Sequence, residues 1–240
     1  MARAAVAILG GTGPQGRGLA LRLARAGCPV VIGSRHAAKA QESAAELVAG
    51  SVDASKLGGS GLVAGSDLAI TGAGNSEAAS AGEVVFVSVP WEAHEPTLRS
   101  LTAELRGRVV VDLVNPLQFD RLGPVGLPVE EGSAAEQASA ILPDSRLVSG
   151  FHHVSARILL DETRGLDTDI LVCGDDPAAK AQVLALAELI PGVRAVDAGP
   201  LRLSRHLEGM TAVLLSVNRA YRTVTGVHLT GLDTTRAPRG

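Results

Sequence analysis

The stretch at residues 4–39 constrains the fold of this chain more than any other part of the sequence. It begins with an apolar run at 5–9, continues through a glycine-rich corner and an amphipathic segment, and ends in a second apolar run at 30–32. A run that is apolar at every position is typical of a strand buried on both faces of a parallel sheet. The order strand, turn, helix, strand therefore predicts a βαβ unit.

The glycine-rich corner fits the pattern G-x-G-x-x-G with Gly11, Gly13 and Gly16. In this pattern the first glycine permits a tight turn, the second lets the backbone approach a pyrophosphate, and the third lets the helix pack closely on the strand. Pro14 suits the first turn of the helix that follows. The unpaired N–H groups at the start of that helix would face the phosphates. We therefore predict dinucleotide binding, with a purely structural glycine turn as the alternative.

The residues after the second strand indicate which dinucleotide is bound. A site that prefers NAD carries Asp or Glu here, whereas this chain has Ser34 and Arg35, with Lys39 one turn later. A hydroxyl, a guanidinium and an ammonium can bind the oxygens of a 2′-phosphate. Because charge-assisted hydrogen bonds contribute about 1.5–3 kcal/mol each, two of them predict a preference for NADP of roughly 10²–10⁴-fold. The alternative is that these residues are solvated surface groups.

The composition of the whole chain narrows the other possibilities. At 240 residues the chain is long enough for one large α/β domain or, as we favour, a dinucleotide domain with a smaller second lobe, and a hydrophobic fraction of 46% fits a buried core. The formal net charge of -3 offers no electrostatic basis for binding nucleic acid or an anionic membrane. Because the sequence shows neither a membrane-span pattern nor a signal peptide, we expect a cytoplasmic protein. Cys28 and Cys173 are expected to be small buried hydrophobes, so no metal site is predicted.

Further patterns along the chain predict an α/β fold, a Rossmann-type doubly wound parallel sheet with a smaller C-terminal lobe. Residues 1–150 are expected to form the NADP-binding Rossmann domain, and residues 151–240 the small C-terminal domain. Strands are predicted at 5–9, 30–32, 68–71, 84–89, 108–112, 146–149, 169–173 and 194–197. Helices are predicted at 15–26, 37–49, 75–81, 133–142, 178–190 and 204–225. A surface loop is expected at 50–67 and a disordered tail at 233–240.

Several predicted features depend on capping and on apolar faces. Ser133 and Glu136 match a capping box at the start of one helix, and Asp175 and Asp176 are expected to cap the start of another. The final helix is rich in Leu, Val and Ala and needs a partner surface. A second subunit is the natural partner, so we expect a homodimer.

Two further corners are predicted to border the same cleft, because ligands of doubly wound sheets lie over the carboxyl ends of the strands. Pro90 follows one strand, and the adjacent His152 and His153 follow another. Neighbouring side chains on an extended segment point to opposite faces, which disfavours a shared metal. We predict that His152 points into the cleft, with an ordinary hydrogen-bonded histidine as the alternative. His94, one turn into the helix that follows the strand at 84–89, is predicted to be a surface or capping residue, with a catalytic role as the alternative.

Seven short blocks complete the sequence pattern. They are Gly10-Gly11-Thr12-Gly13, Gly33-Ser34-Arg35 with Lys39, Val89-Pro90-Trp91, Ser133-Ala134-Ala135-Glu136, Val172-Cys173-Gly174-Asp175-Asp176, Asp197-Ala198-Gly199-Pro200-Leu201 and Ser204-Arg205. In this order they make the chain, from about residue 4 to 218, resemble the NADPH-dependent reductases of coenzyme F420, a 5-deazaflavin. The resemblance implies a homodimer and a reversible hydride transfer between NADP(H) and coenzyme F420.

The resemblance also implies roles for individual residues. The positions that match the phosphate loop of that family are Thr12, Pro14 and Gln15, and those that match its 2′-phosphate site are Ser34, Arg35 and Lys39. The positions that match its nicotinamide and deazaflavin walls are Val89, Pro90, His152, Val154 and Ala156. Hydride transfer between stacked rings depends mainly on positioning. The proton added to the deazaflavin comes either from solvent or from His152.

Two other functions stay open on the sequence alone. One is an NADPH-dependent reductase of an imine, a carbonyl or a metal centre on the same scaffold. The other is a non-catalytic NADP sensor that reports redox state to a partner. For the reductase of coenzyme F420 the expected partners are small-molecule redox coenzymes, with neither nucleic acid nor membrane.

Overall fold

The computed structural model describes residues 3–50, 68–163 and 165–232. Its strands are β1 (Val6–Leu9), β2 (Val30–Ser34), β3 (Ile70–Gly74), β4 (Val84–Val87), β5 (Val109–Asp112), β6 (Leu117–Phe119), β7 (Pro124–Gly126), β8 (Arg146–Ser149), β9 (Thr168–Gly174) and β10 (Val193–Gly199). Its helices are α1 (Pro14–Arg25), α2 (Ala37–Val48), α3 (Asn75–Ala81), α4 (Trp91–Arg99), α5 (Thr102–Leu105), α6 (Ala134–Ile141), α7 (Ala156–Leu160), α8 (Pro177–Glu188) and α9 (Ser204–Tyr221). None of the helices in these ranges combines the length and the apolar character needed to cross a bilayer.

Within the described ranges, eight strands form one sheet in the order β10-β9-β8-β5-β4-β1-β2-β3. Neighbouring strands run parallel except β8 and β9, which are antiparallel. The run β3-β2-β1-β4-β5-β8 is the strand order 3-2-1-4-5-6 of a Rossmann fold, in which the order reverses between β1 and β4. The predicted Rossmann-type, mostly parallel sheet is therefore confirmed.

Both faces of the central strands are buried, which explains their continuous apolar sequences. All residues of β1, β4 and β5 are buried. Successive side chains alternate between the faces. Ile8 and Phe86 pack with the α1 side chains in one cluster, and Leu9 and Val87 pack with Leu98 of α4 in another. The helices thus cover both faces and leave the carboxyl ends of the strands free for a site.

The strands predicted for the smaller lobe, β9 and β10, join the edge of this sheet next to β8. Ser149 pairs with Cys173 in the antiparallel contact that connects them. The sheet therefore continues past residue 150, and residues 151–232 add its edge together with α7, α8 and α9. The division into two domains at residue 150 stays a prediction.

Short elements were the main omissions of the sequence analysis. The hairpin of β6 and β7 and the short helices α5 and α7 were not predicted, because so few residues carry no readable periodicity. The last helix ends at Tyr221 instead of residue 225, since Arg222 adopts a left-handed φ of 52°. The predicted strand at 68–71 is shifted to Ile70–Gly74. The tail at 233–240 and all but the first residue of the loop at 50–67 lie outside the described residues.

The predicted burial of the two cysteines and the predicted cap at Asp176 are confirmed, whereas the cap predicted at Asp175 was wrong. Asp176 accepts hydrogen bonds from the N–H groups of Ala178 and Ala179, each at 2.9 Å, at the start of α8. Asp175 instead accepts a hydrogen bond from the N–H of Leu201 at 3.0 Å. Cys28 and Cys173 are buried free thiols.

The capping box at the start of α6 allows a stability prediction. Ser133 Oγ accepts the N–H of Glu136 at 3.0 Å. We expect Ser133→Ala to lower the free energy of unfolding by about 1 kcal/mol, because one N-terminal N–H of the helix loses its acceptor. Urea unfolding followed by circular dichroism measures the change. Ser80→Ala, which removes an exposed hydroxyl bonded to the Ser76 carbonyl, is the control, and equal stability of the two variants would contradict the capping role.

Candidate active site

A cleft of about 770 Å³ lies over the carboxyl ends of the parallel strands. Its walls come from the turn after β1, from the residues that follow β2, β4, β5 and β8, and from α9. The reversal of strand order between β1 and β4 opens such a crevice in doubly wound sheets, and ligands bind there. A cleft of this volume suits a coenzyme-sized ligand.

The structure brings most of the predicted site residues together on the walls of this cleft. They are Thr12, Gly13, Pro14, Gln15, Ser34, Arg35, Lys39, Val89, Pro90, His152, Val154 and Ala156. The two exceptions are Gly11 and Gly16, which are buried and do not line the cleft. A Cβ atom on Gly16 would approach the Cα of Gly11 to 2.5 Å, so the start of α1 rests directly on the turn. These two glycines therefore belong to the packing of the corner.

Two other glycines of the corner differ in what surrounds them. Gly10 has a left-handed φ of 68°, and a Cβ atom there would lie 2.7 Å from the carbonyl oxygen of Ser88. For Gly13 the nearest atom to an added Cβ is the carbonyl oxygen of Gly10, at 3.8 Å. Gly10 lies outside the G-x-G-x-x-G pattern, yet its backbone conformation requires glycine. Gly13 instead leaves an open face on the cleft.

The start of α1 forms an anion-binding end of the cleft. The helix begins at Pro14 with Gly13 as its N-cap, no side chain caps it, and its first turn carries no acidic residue. The first N–H groups of a helix have no acceptor within the helix, and the helix dipole places a partial positive charge there. A phosphate group is the natural ligand for such an end.

The rim beside β2 carries the basic residues. Ser34 ends β2 and its Oγ accepts the N–H of His36 at 3.2 Å, while Arg35 and Lys39 are exposed. Opposite them, Asn75 begins α3 and its Oδ1 is buried with no hydrogen-bond partner among the described residues. A hydroxyl, two cations and an amide therefore line one corner of the cleft.

The segment after β8 forms the opposite end of the cleft and is firmly held. Phe151 adopts a left-handed φ of 64°, and its buried ring packs edge-on against Phe86 with centroids 5.5 Å apart. The carbonyl oxygen of His152 accepts hydrogen bonds from Asn115 Nδ2 and Thr211 Oγ1, each at 3.0 Å. A strained, non-glycine residue in the left-handed region is typical of segments whose position matters for function.

Comparison with known proteins connects this geometry to a family. The profile of the family described as NADP oxidoreductase coenzyme F420-dependent matches residues 5–116. An F420-dependent NADP reductase of Methanocaldococcus jannaschii is 40% identical, over 95% of this chain and 99% of its own length. The chain belongs to the F420-dependent NADP reductase family. The resemblance inferred from the seven sequence blocks is thereby confirmed.

Two further similar proteins support the assignment to the F420-dependent NADP reductase family. The F420-dependent NADP reductase of Methanothermobacter marburgensis is 39% identical, over 89% of this chain and 92% of its own. The crystal structure of a candidate F420-dependent NADP reductase from Arthrobacter sp. FB24 superposes with a TM-score of 0.73 at 27% identity. That superposition covers 92% of this chain and 96% of the other.

The environment of His152 in this family member determines its protonation. The side chain is buried on the cleft wall, and neither Nδ1 nor Nε2 has a hydrogen-bond partner among the described residues. Burial lowers the pKa of His152 to about 4, although the negative charge of Asp112 opposes the shift. The imidazole is therefore neutral at pH 7, which favours a ligand contact over the donation of a proton.

We expect the His152 ring to stay neutral from pH 8 to pH 5. In the unfolded chain the His152 ring accepts a proton near its ordinary pKa of 6.5, whereas in the folded chain it does so only near pH 4. His152 therefore makes the protein less stable as the pH falls from 6.5 towards about 4. Histidine ring ¹⁵N shifts measured against pH test the protonation, and His152→Gln should remove this contribution to the pH dependence of unfolding. A titration midpoint at the ordinary value would contradict the prediction.

Polar side chains of the cleft for which the sequence predicted no role include Asn75, Asn115, Thr211 and Asn218. Asn75 and Asn115 follow β3 and β5, so the position of ligands over strand ends could have identified them. Thr211 and Asn218 lie on α9, where the sequence shows an apolar helix but not which neighbours it meets. His153, the second histidine of the predicted pair, also borders the cleft but binds the carbonyl oxygen of Asp169 through Nε2 at 2.7 Å.

The prediction for His94 was wrong. The residue is neither on the surface nor at a cap but fully buried in α4, with Nε2 2.6 Å from Asp112 Oδ2 and Nδ1 3.0 Å from Gln137 Oε1. Asp112 is the last residue of the buried strand β5, and a buried carboxylate needs a partner. An acidic residue at the end of an otherwise apolar strand was the available signal.

Proposed function

We propose that this protein transfers a hydride reversibly between NADP(H) and coenzyme F420. The observation that supports this proposal best is a single cleft. One end of the cleft has the phosphate-binding corner and the basic rim, and the other end is formed by the segment at 151–156. The bound coenzymes supply the chemistry, a hydride moving between the nicotinamide and the deazaflavin. The protein contributes mainly by holding two flat rings against each other.

The nucleotide end of the cleft fits NADP(H). The N–H groups at the start of α1 would bind the pyrophosphate, and the open face of Gly13 lets it approach the backbone. Arg35, Lys39 and the Ser34 hydroxyl would bind the 2′-phosphate, since together they offer charge and hydrogen-bond donors to its oxygens. An NAD-preferring site would need a carboxylate at this position.

The other end of the cleft fits two stacked rings. Val89, Pro90, Val154 and Ala156 provide small apolar walls. Trp91 is the one aromatic residue, histidines aside, among the residues that line the described cleft. Two ligands that cover each other's faces need few aromatic side chains from the protein. The neutral His152 would contact a ligand at this end, and solvent is then the source of the proton that the deazaflavin takes up.

The homodimer expected from the sequence is part of the proposal. Only Ser204, Leu207 and Glu208 of α9 are buried, and the helix packs against the hairpin of β6 and β7. Several large apolar side chains of these two elements are exposed, namely Phe119, Leu122, Val125, Val213 and Tyr221. A concentration of exposed apolar side chains marks an interaction surface. The cytoplasmic location expected from the sequence stays a prediction.

An absorbance assay tests the proposed reaction. Purified protein is mixed with NADPH and coenzyme F420 without oxygen, and the visible band of the oxidised deazaflavin is followed. We expect the band to disappear with NADPH and to change far more slowly with NADH. A stable band in a sample that binds NADPH would overturn the choice of acceptor and direct the search to an imine, a carbonyl, a metal centre or a sensor role.

A further inference from the structure

We propose that His94 and Asp112 act as a charged positioning pair that holds the Trp91 indole and the backbone at 113–115 in the wall of the cleft. Neither residue lines the cleft itself, and the proposed reaction does not use either of them. The effect on turnover rests on the proposed function. The structural part of the proposal is independent of it, because it can be observed in the protein without coenzymes.

The hydrogen bonds of His94 indicate a doubly protonated ring. Nε2 faces Asp112 Oδ2 at 2.6 Å and Nδ1 faces Gln137 Oε1 at 3.0 Å. A carboxylate and an amide oxygen are both acceptors, so a ring bonded to both of them donates from both nitrogens. The orientation of the Gln137 amide is supported by its other end, where Nε2 donates to Glu131 Oε2 at 3.4 Å. His94 is therefore an imidazolium paired with a carboxylate in the protein interior.

Asp112 connects this pair to the cleft. Its second oxygen, Oδ1, accepts the N–H of Val114 at 3.0 Å. Leu113, Val114 and Asn115 all border the cleft. Asp112 is fully buried, so breaking its bond to His94 would leave a charge in the interior without a counter-charge. The backbone conformation at 113–115 therefore depends on the Asp112 carboxylate, whose charge His94 neutralises.

Trp91 is the second residue through which the pair contacts the cleft wall. Its ring stacks on the His94 ring with centroids 5.5 Å apart and planes inclined by 28°, and it also borders the cleft. A cation at this distance from an indole face is attracted to it. Because Trp91 is the only tryptophan of the sequence, tryptophan fluorescence reports on the surroundings of this one ring.

Three elements around the pair contribute a polar or charged group, and His152, which follows β8, is close enough for the charge of Asp112 to oppose the lowering of its pKa. Asp112 belongs to β5, Gln137 to α6 and Glu208 to α9, and the Glu208 carboxylate accepts the N–H groups of Ala134 and Ala135 at 2.9 and 3.2 Å. Burial disfavours the charged form of His94, but the charge and hydrogen bond of Asp112, the hydrogen bond of Gln137 and the charge of Glu208 together raise the pKa of His94. Burial raises the pKa of Glu208 to about 7. His94 thus keeps its charge above the pH at which a free histidine loses it.

Tryptophan fluorescence of the protein without coenzymes tests the pair. An imidazolium quenches a stacked indole, so emission should rise in one step as the pH increases and His94 loses its proton. We expect His94→Gln to abolish this step and Asp112→Asn to shift it down by ~1–2 pH units, because a charge-assisted bond is lost. Asparagine can still accept the N–H of Val114. His206→Gln, at an exposed histidine of α9, should leave the step unchanged.

Two further measurements decide the outcome. In the wild-type protein at pH 7, the histidine ring that shows NMR contacts to the Trp91 indole should have the ¹⁵N shifts of an imidazolium. This measurement uses the wild-type protein, so it does not depend on whether a variant folds. In turnover, Asp112→Asn should lower kcat by about tenfold and change the KM for NADPH by less than about threefold, since the rings lose alignment while the phosphates keep their contacts. A neutral His94 ring, an emission step that survives in His94→Gln, or an unchanged kcat in Asp112→Asn would overturn the proposal.

Discussion

Replacing Arg35 by alanine should raise the KM for NADPH by about 10–100-fold and leave the KM for NADH within about twofold. The variant loses a charge-assisted hydrogen bond to the 2′-phosphate, worth about 1.5–3 kcal/mol, and NADH has no such phosphate. Arg35 is exposed at the rim beside Ser34 and Lys39, so its removal does not disturb the core. Initial rates with each coenzyme at a fixed concentration of coenzyme F420 give the two constants.

The matched control for this experiment is Arg99→Ala. Arg99 is exposed on α4 and pairs with Glu95 one turn away at 2.8 Å, a contact of a kind that contributes little to stability. Both KM values should equal those of the wild type. If Arg35→Ala raised the KM for NADPH and NADH equally, Arg35 would bind a part shared by both coenzymes, and the assignment to the 2′-phosphate would be wrong.

Alanine at Gly13 and at Gly16 should separate ligand binding from folding. Gly13→Ala places a methyl group on the open face of the cleft, where the nearest protein atom lies 3.8 Å away. We expect this variant to fold with an unchanged midpoint of thermal unfolding but to bind NADPH at least about tenfold more weakly, because the methyl group occupies the approach to the pyrophosphate. Isothermal titration with NADPH measures the affinity.

Gly16→Ala should show the opposite result. Its methyl carbon would lie 2.5 Å from the Cα and 3.0 Å from the carbonyl carbon of Gly11, and neither backbone atom can move without shifting α1 or the turn. We expect a loss of about 1–3 kcal/mol in the free energy of unfolding, the usual cost of forcing extra volume into a packed region. Wild-type NADPH affinity in Gly13→Ala, or wild-type stability in Gly16→Ala, would contradict the separate roles given to the two glycines.

The extent to which the sequence predicts this fold depends on how local each signal is. The unit at 4–39 was predictable because its strands, its glycine turn and its helix follow each other directly, and each part restricts the next. The hairpin of β6 and β7 was not predictable, since its strands have three residues each and expose most of their side chains. The placement of β9 and β10 in the same sheet depends on pairing between distant segments, which a local pattern does not contain.

The same distinction holds for the candidate site. Arg35 and Lys39 follow their strand so closely that their place at the rim could be predicted. The position of His152 was also predictable from the end of β8, but its protonation was not, because burial comes from the whole fold. His94 shows the limit most clearly. The acidic end of the apolar strand indicates that Asp112 needs a partner, but only the fold shows that the partner is His94, whose ring lies 2.6 Å away.

Transfer of an isotope label tests the central claim most directly, namely that one cleft holds two coenzyme rings against each other. NADPH carrying deuterium at both C4 positions of the nicotinamide is mixed with the protein and oxidised coenzyme F420 in ordinary water, and the reduced deazaflavin is analysed by mass spectrometry. Direct transfer predicts one deuterium in every molecule of reduced coenzyme. Reduced coenzyme F420 without deuterium, or no reduction by a protein that binds NADPH, would contradict the account.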